Sequence, residues 1–242
     1  MVFRLFSQKD ASGDYRFDMT GNTGEYDVRT DVYDMLVTHS DHFIKDSERL
    51  RTSVIELPVE NNDAGEPVIT DGTADMLYAG YLDSVLVDYN RRYDYHIDMM
   101  PMMRKINFKI YITDEFELEG SEVDLSGIAY RMTVWNRECD QRANGVVRMA
   151  LTKEGRFLSG QQVMTLFTGS FHCLGTVGQN ILYFSYTDAE GKVCSGEFDL
   201  SPMLKGWQSQ STEVIIRLFN NKGELDMESW EEGDSEDITI IN

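Results

Sequence analysis

The chain has 242 residues, with 22 Lys and Arg against 42 Asp and Glu, so its formal charge at pH 7 is −20. A hydrophobic content of 41% is enough to bury a core, which excludes disorder of the whole chain. Nucleic acids and anionic bilayers attract clustered Lys and Arg, so the acidic balance argues against both as general electrostatic partners. The sequence contains no apolar run of about 18 residues, the length that a transmembrane helix requires.

The N-terminus predicts a β-strand rather than a secretory leader. Residues 1–10 alternate between two faces and lack the basic, apolar and small-residue order of a signal peptide. A strand at the first residue, without a lead-in or cap, leads us to expect that the first domain lacks one or more of its earliest strands.

Period-two alternation continues through most of the chain and predicts sheet structure. Clusters of Gly, Asn and Asp between the alternating runs, as at residues 11–14 and 20–24, predict turns. The alternating apolar sets are Tyr15, Phe17 and Met19; Ile106, Phe108, Ile110 and Ile112; Val147, Met149 and Leu151; Leu182, Phe184 and Tyr186; Val214, Ile216 and Leu218; and Ile238 and Ile240.

Two segments interrupt the strand pattern with helical character. Residues 43–51, where Asp46 and Ser47 offer capping side chains, and residues 201–206 predict short helical turns. Residues 60–73 predict a long polar loop.

A domain boundary is predicted near residue 90, which divides the chain into residues 1–90 and 91–242. The methionine cluster beyond it, Met99, Met100, Met102 and Met103, fits either core filling, which we favour, or an adaptable partner surface. Pro101 cannot donate a ladder hydrogen bond, so its strand is expected at a sheet edge.

The sequence predicts no catalytic, cofactor-binding or metal-binding residues and no cofactor. Cys139, Cys173 and Cys194 form no CxxC pair and are expected to be free buried thiols. His39 and His42 are three residues apart, a spacing that presents both imidazoles to one metal ion only if the segment is helical. The preceding residues predict a strand instead.

Other candidate chemistry is equally unsupported by the sequence. Residues 10–14 contain only half of a calcium loop, and the acidic run at 226–237 is typical of a solvated segment. Asp114 and Glu115 are adjacent near a strand end and point to opposite faces, so they do not predict a paired-carboxylate hydrolase. His96 and His172 have no motif partner nearby.

Three stretches resemble fimbrillin-like surface proteins of the Bacteroidota, in a subfamily whose molecular role is not assigned. Residues 24–41 resemble the segment around the family's Tyr-Asp-Val-Leu pattern, and residues 74–79 are similar to the Asp-Leu-Met-Tyr-Ala signature that closes the N-terminal domain. Residues 100–112, followed by 125–129, resemble the opening of the C-terminal domain. Together the stretches span residues 24–129 and occur in the family's order.

The resemblance implies an all-β protein with two tandem transthyretin-like Greek-key β-sandwich domains. It also implies export as a lipoprotein, with a location at the cell surface, in the outer membrane or in a fimbrium, and membrane contact only through a lipid anchor on the precursor. Assembly by strand exchange is implied as well, after an Arg-specific protease removes an N-terminal strand; Arg4, Arg16 and Arg29 are candidate cleavage sites by residue type. The expected partners are other fimbrial subunits.

The leading hypothesis is therefore a non-enzymatic fimbrial subunit or adhesin that assembles by β-strand exchange. The alternative is a monomeric surface lipoprotein that binds a glycan or host protein through exposed aromatic residues, for which Trp135, Trp207 and especially Trp230 are candidates. A hydrolase on a β scaffold is the third class. The sequence leaves open whether the C-terminal strand, residues 238–241, is donated to a neighbour or completes its own sheet.

Overall fold

The computed structural model describes the chain except residues 41, 46–47, 71–76, 114–116, 119–121, 160–161, 188–189, 208, 222–223, 233–238 and 241–242. The described strands are β1 (Val2–Ser7), β2 (Tyr15–Asp18), β3 (Asp31–Thr38), β4 (Ile44–Lys45), β5 (Val54–Glu56), β6 (Val59–Asn61), β7 (Pro67–Ile69), β8 (Tyr78–Val87), β9 (Met100–Pro101), β10 (Arg104–Thr113), β11 (Glu117–Leu118), β12 (Glu122–Ala129), β13 (Arg131–Thr133), β14 (Asn144–Ala150), β15 (Thr152–Ser159), β16 (Gln162–Cys173), β17 (Ile181–Thr187), β18 (Val193–Asp199), β19 (Ser211–Asn221), β20 (Glu224–Glu232) and β21 (Thr239–Ile240).

Helical structure is confined to three short pieces of the described chain. Two are 3-10 turns, Ala11–Gly13 and Leu50–Thr52, and the third is the α-helix α1, Ser201–Leu204. No described helix has the length and hydropathy needed to cross a bilayer. The prediction of an all-β protein is confirmed.

The strands form four sheets. Sheet I has the order β2-β1-β3-β8-β9, and sheet II has the order β13-β5-β4. Sheet III has the order β11-β17-β12-β14-β7-β6, with β18 paired to β17, and sheet IV has the order β20-β19-β10-β16-β15-β21. Most neighbouring pairs are antiparallel, but β10 pairs in parallel with β19 and β14 pairs in parallel with β7.

The predicted alternation explains how the sheets pack into a sandwich. Ile106 and Ile112 of β10 are fully buried in one apolar cluster with Leu125 of β12 and Leu182 of β17, so sheets III and IV contribute to the same core. The intervening Tyr111 points to the opposite face of sheet IV, where it belongs to a separate small cluster.

Strand pairing links the two sides of the predicted boundary at residue 90. Strand β5 pairs with β13, where Ile55 lies opposite Met132, and β7 pairs with β14. The large core cluster also includes Leu36 and Leu57 together with Phe108. Residues before and after position 90 thus belong to one core cluster. The division into two domains stays a prediction.

Three local predictions are decided by the described strands. Residues 43–51 do not form a helical turn throughout, because β4 lies within them and only the 3-10 turn at Leu50–Thr52 is helical; Asp46 and Ser47 lie outside the described residues. The predicted loop at 60–73 is wrong in part, because β6 and β7 form a hairpin there. Pro101 does lie in an edge strand, β9, as predicted.

The methionine and cysteine positions follow their expected packing in part. Met102 and Met103 are fully buried in the large core, whereas Met100 is 37% exposed. All three cysteines are free; Cys173 is buried, and the other two are half-buried.

Candidate assembly interface

Strand β1 occupies an interior position in sheet I, although it is the first strand of the chain. It pairs with β2 on one side, where Leu5 lies opposite Tyr15, and with β3 on the other, where Leu5 lies opposite Met35. The main-chain groups of β3 on this side are therefore satisfied by β1. Removal of β1 would expose them as an open sheet edge.

The two faces of β1 fill two different clusters. Phe6 is 4% exposed and packs in the large core with Leu36. Leu5 is 2% exposed and packs on the other face of sheet I with Tyr33 and Met35. Both faces of the strand are thus buried, so any strand that replaced β1 would need apolar side chains on both faces.

Aromatic contacts join β1, β2 and the segment that follows into one unit. The ring centroids of Phe3 and Phe17 are 6.0 Å apart, and those of Phe17 and Tyr26 are 4.2 Å apart. Tyr15 contacts Tyr33 of β3 edge-to-face, with the centroids separated by 6.2 Å. Residues 1–29 therefore supply about half of the apolar side chains on the outer face of sheet I, while β3, β8 and Ile97 supply the rest.

A polar clasp holds the end of β1 to the start of β3. Ser7 donates from its hydroxyl to Asp31 Oδ2 at 2.6 Å, and Lys9 Nζ lies 3.4 Å from Asp31 Oδ1. The Ser7 amide donates to Asp14 Oδ1 at 2.7 Å. The hydrogen bond from Ser7 lowers the pKa of the Asp31 carboxyl below its usual value, with smaller contributions from the Val32 amide and Lys9.

This pKa shift predicts an acid-sensitive clasp. Because the folded-state pKa of Asp31 is below its unfolded value of 3.8, the stabilisation is present above that pH and is lost as the pH falls through the folded pKa. We expect the free energy of unfolding of Asp31→Asn to fall less steeply than that of the wild type between about pH 5 and about pH 3. Urea titrations across this range measure the difference.

The matched control is Asp18→Asn. Asp18 lies in β2 of the same sheet as Asp31, and its side chain is 76% exposed beside Arg16. We expect this variant to keep the wild-type pH dependence. Equal acid sensitivity of the wild type and Asp31→Asn would contradict the prediction.

The three candidate cleavage sites differ in accessibility. Arg4 lies half-buried within β1, between two paired strands, and Arg16 lies in β2, where it pairs with Asp18 at 3.1 Å. Arg29 is exposed and lies outside the strands, between β2 and β3. Its carbonyl accepts a hydrogen bond from the Tyr33 hydroxyl at 2.9 Å. An exposed residue outside the strands is more accessible to a protease than one within a strand, so Arg29 is the best placed of the three.

The C-terminal strand lies far from β1 in the strand order. Strand β21 pairs antiparallel with β15 at the edge of sheet IV, and among the described residues Phe157 lies opposite Ile240 and Leu158 opposite Thr239. Ile238 and Ile241 lie outside the described residues.

Neither of the two candidate tryptophans whose side chains are described, Trp135 and Trp207, is exposed. Trp207 is 8% exposed, and its indole donates to the Ser209 hydroxyl at 2.5 Å. Trp135 is half-buried, with the Arg51 guanidinium 4.8 Å from its ring centroid. Trp230 lies opposite Ile216 in β20, and its side chain is outside the described part of the chain.

The other candidate groups have local contacts. Asp10 accepts a hydrogen bond from the Ser12 amide and caps the first 3-10 turn, and His96 Nε2 lies 3.0 Å from Asp98 Oδ1. No group of three or more His, Cys, Asp or Glu side chains in the described ranges could hold a metal ion. Asp41, Asp114 and Glu115 fall outside those ranges.

Sequence reasoning missed the clasp and the interior position of β1. The Ser7–Asp31 contact joins residues 24 positions apart, and no motif connects them. The interior position had a partial signal, because β1 is apolar at Val2, Phe3, Leu5 and Phe6 and is therefore buried on both faces.

No protein-family model and no curated protein matches the sequence. Solved structures do match. A proposed adhesin from Bacteroides ovatus has a TM-score of 0.60 at 12% identity, over 92% of this chain and 86% of that chain. One from Bacteroides thetaiotaomicron has a TM-score of 0.54 at 13% identity, over 100% and 89% of the two chains. A fimbrial anchor protein from Porphyromonas gingivalis has a TM-score of 0.50 at 7% identity, over 96% of this chain and 87% of that chain. At these identities the likeness concerns the fold, and at that level it confirms the resemblance to fimbrillin-like surface proteins of the Bacteroidota.

Proposed function

We propose that the protein is a non-enzymatic cell-surface fimbrial subunit or adhesin that assembles by β-strand exchange. The single observation that carries the proposal is the interior position of β1, which a cut after Arg29 would remove together with β2. The cut would open the edge of β3 and both apolar faces beside it. The names of the matched structures, adhesin and fimbrial anchor, support a surface role.

The groove left by β1 fits a strand from a second subunit. Main-chain hydrogen bonds to β3 would give the affinity, and apolar side chains in the places of Leu5 and Phe6 would give the register. The C-terminal strand β21 is the donor that we propose, since it lies at the edge of sheet IV, next to β15 alone among the described strands. Export as a lipoprotein to the outer membrane or fimbrium completes the proposal.

Limited cleavage with an Arg-specific protease tests assembly. We expect light scattering to show a monomer before cleavage and a ladder of oligomers after it, because the exposed edge of β3 recruits a neighbour's strand. The Arg29→Gln variant is expected to stay monomeric after protease treatment. The Arg16→Gln variant, which changes an arginine within β2, is expected to form the ladder. Mass spectrometry of the cleaved chain locates the cut.

One result would overturn strand exchange, and another would overturn the assignment of β21 as the donor strand. The first is a wild-type chain that stays monomeric although residues 1–29 have been removed. The second concerns the donor: a chain lacking residues 234–242 should melt like the wild type as a monomer and fail to form the ladder. If this deletion unfolds the monomer, β21 completes its own sheet and is not donated.

A further inference from the structure

A cluster of exposed aromatic side chains lies where strand β8 ends and the chain turns back. We call it the tyrosine platform. Contacts join Tyr95 to Leu86 and to Tyr93, and we include Tyr89 because it lies three residues after Leu86. Leu86 is 53% exposed, Tyr89 is 85% exposed and Tyr95 is 42% exposed, while Tyr93 is half-buried. Clustered exposure of this kind marks binding surfaces more often than single exposed residues do.

The platform is held in place. The Tyr95 hydroxyl donates to the Leu86 carbonyl at 3.1 Å, which ties the returning segment to the end of β8. The rings of Tyr93 and Tyr95 are nearly parallel, with an interplanar angle of 14° and centroids 5.9 Å apart. Rings fixed before a ligand arrives lose little conformational freedom on binding.

The fold gains little from the platform. None of its four side chains belongs to the three apolar clusters of the described residues. An aromatic ring that is 85% exposed, as in Tyr89, buries almost no surface and so adds almost nothing to stability.

The charges beside the platform disfavour an anionic ligand. Arg92 lies 3.5 Å from both Glu25 and Asp94, and Arg91 lies 3.9 Å from Asp88. The two guanidinium groups are thus engaged by three carboxylates. A sulfated or carboxylated ligand would have to compete with these carboxylates, in a chain whose net charge is −20.

We propose that the tyrosine platform binds a neutral glycan. A pyranose ring has a flat apolar C–H face that stacks on an aromatic ring, and its hydroxyls can bond to the surrounding Asp and Arg side chains. Flat, exposed aromatic rings suit the flat face of a sugar better than a branched apolar side chain. The proposal deepens the adhesin part of the proposed function and does not depend on strand exchange.

Affinity electrophoresis of the full, uncleaved chain tests the platform. Gels contain dextran, mannan or laminarin as neutral polysaccharides and heparin as an anionic comparison. We expect at least one neutral polysaccharide to retard the wild type and heparin not to do so. Tyr89→Ala should raise the dissociation constant for that polysaccharide about tenfold, through loss of one stacking face. Thermal melts should be unchanged, because the side chain is exposed.

Tyr183→Ala is the matched control, since Tyr183 is 39% exposed on sheet III, outside the platform. It should bind like the wild type. The proposal is overturned if no neutral polysaccharide retards the wild type, if heparin retards it more, or if the two variants bind equally. Concentration-dependent self-association that Tyr89→Ala abolishes would assign the platform to a second copy of this chain instead. The polysaccharide results leave the protease test of assembly unaffected.

Discussion

Ile55→Ala is expected to destabilise the whole chain by about 2–5 kcal/mol. Ile55 is fully buried in β5, where it lies opposite Ile44 in β4 and Met132 in β13. Truncation to alanine removes apolar contacts and leaves a cavity beside residues from both sides of the predicted boundary at residue 90. Urea unfolding followed by tryptophan fluorescence and circular dichroism measures the loss.

The same experiment tests the division into two domains. Because the core cluster that contains Ile55 also contains Phe108, we expect both probes to show one transition that moves to lower urea as a unit. Two transitions, of which only one moves, would instead support independent domains. Val193→Ala is the control, since Val193 is 61% exposed and its truncation should change stability by less than about 0.5 kcal/mol.

Gly127→Ala is expected to cost about 3 kcal/mol or more. Gly127 has a φ of +76°, and a Cβ there would overlap the carbonyl oxygen of Gln179 and the side chain of Asn180. The side-chain amide of Asn180 donates to the Gly127 carbonyl at 2.8 Å, and the main-chain N–H of Val177 donates to the same oxygen at 2.7 Å. Relief of the overlap would break these buried hydrogen bonds.

Gly206→Ala separates the backbone cost from the steric cost. Gly206 has the same φ of +76°, but a Cβ there would meet nothing within 4 Å. We expect this variant to lose only about 1 kcal/mol, the cost of a left-handed conformation for alanine. Equal losses in the two variants, measured by thermal or urea unfolding, would show that the contacts around Gly127 do not matter.

Strand positions could be predicted from the sequence where one face is buried. The alternation from Ile106 to Ile112 matches β10 because polar and apolar side chains separate onto opposite faces of a sheet. The hairpin of β6 and β7 escaped prediction because each strand has three residues, too few to show an alternating pattern. The same limit applies to residues 43–51, where two strand residues are held by pairing with β5 rather than by local preference.

The candidate sites were harder to predict than the strands. Trp207 was one of the candidates for exposure, yet it is buried beside Arg104, which is 103 residues away and donates to its carbonyl. The tyrosine platform lies at the predicted domain boundary, where the sequence shows three tyrosines but not their exposure. Burial depends on distant segments, and a single sequence does not show which segments meet.

The parallel pairing of β10 with β19 affects how the chain folds. Lys105 lies opposite Ser211, so a long loop must close before this ladder forms, and the entropy cost of closure precedes any gain in hydrogen bonds. The pair of β10 and β16 can form earlier. Until β19 has been synthesised, the free side of β10 is an unpaired edge rich in isoleucine and prone to aggregation. The nascent chain therefore depends on protection of that edge from the synthesis of β10 until β19 has been made, and then on slow closure of sheet IV.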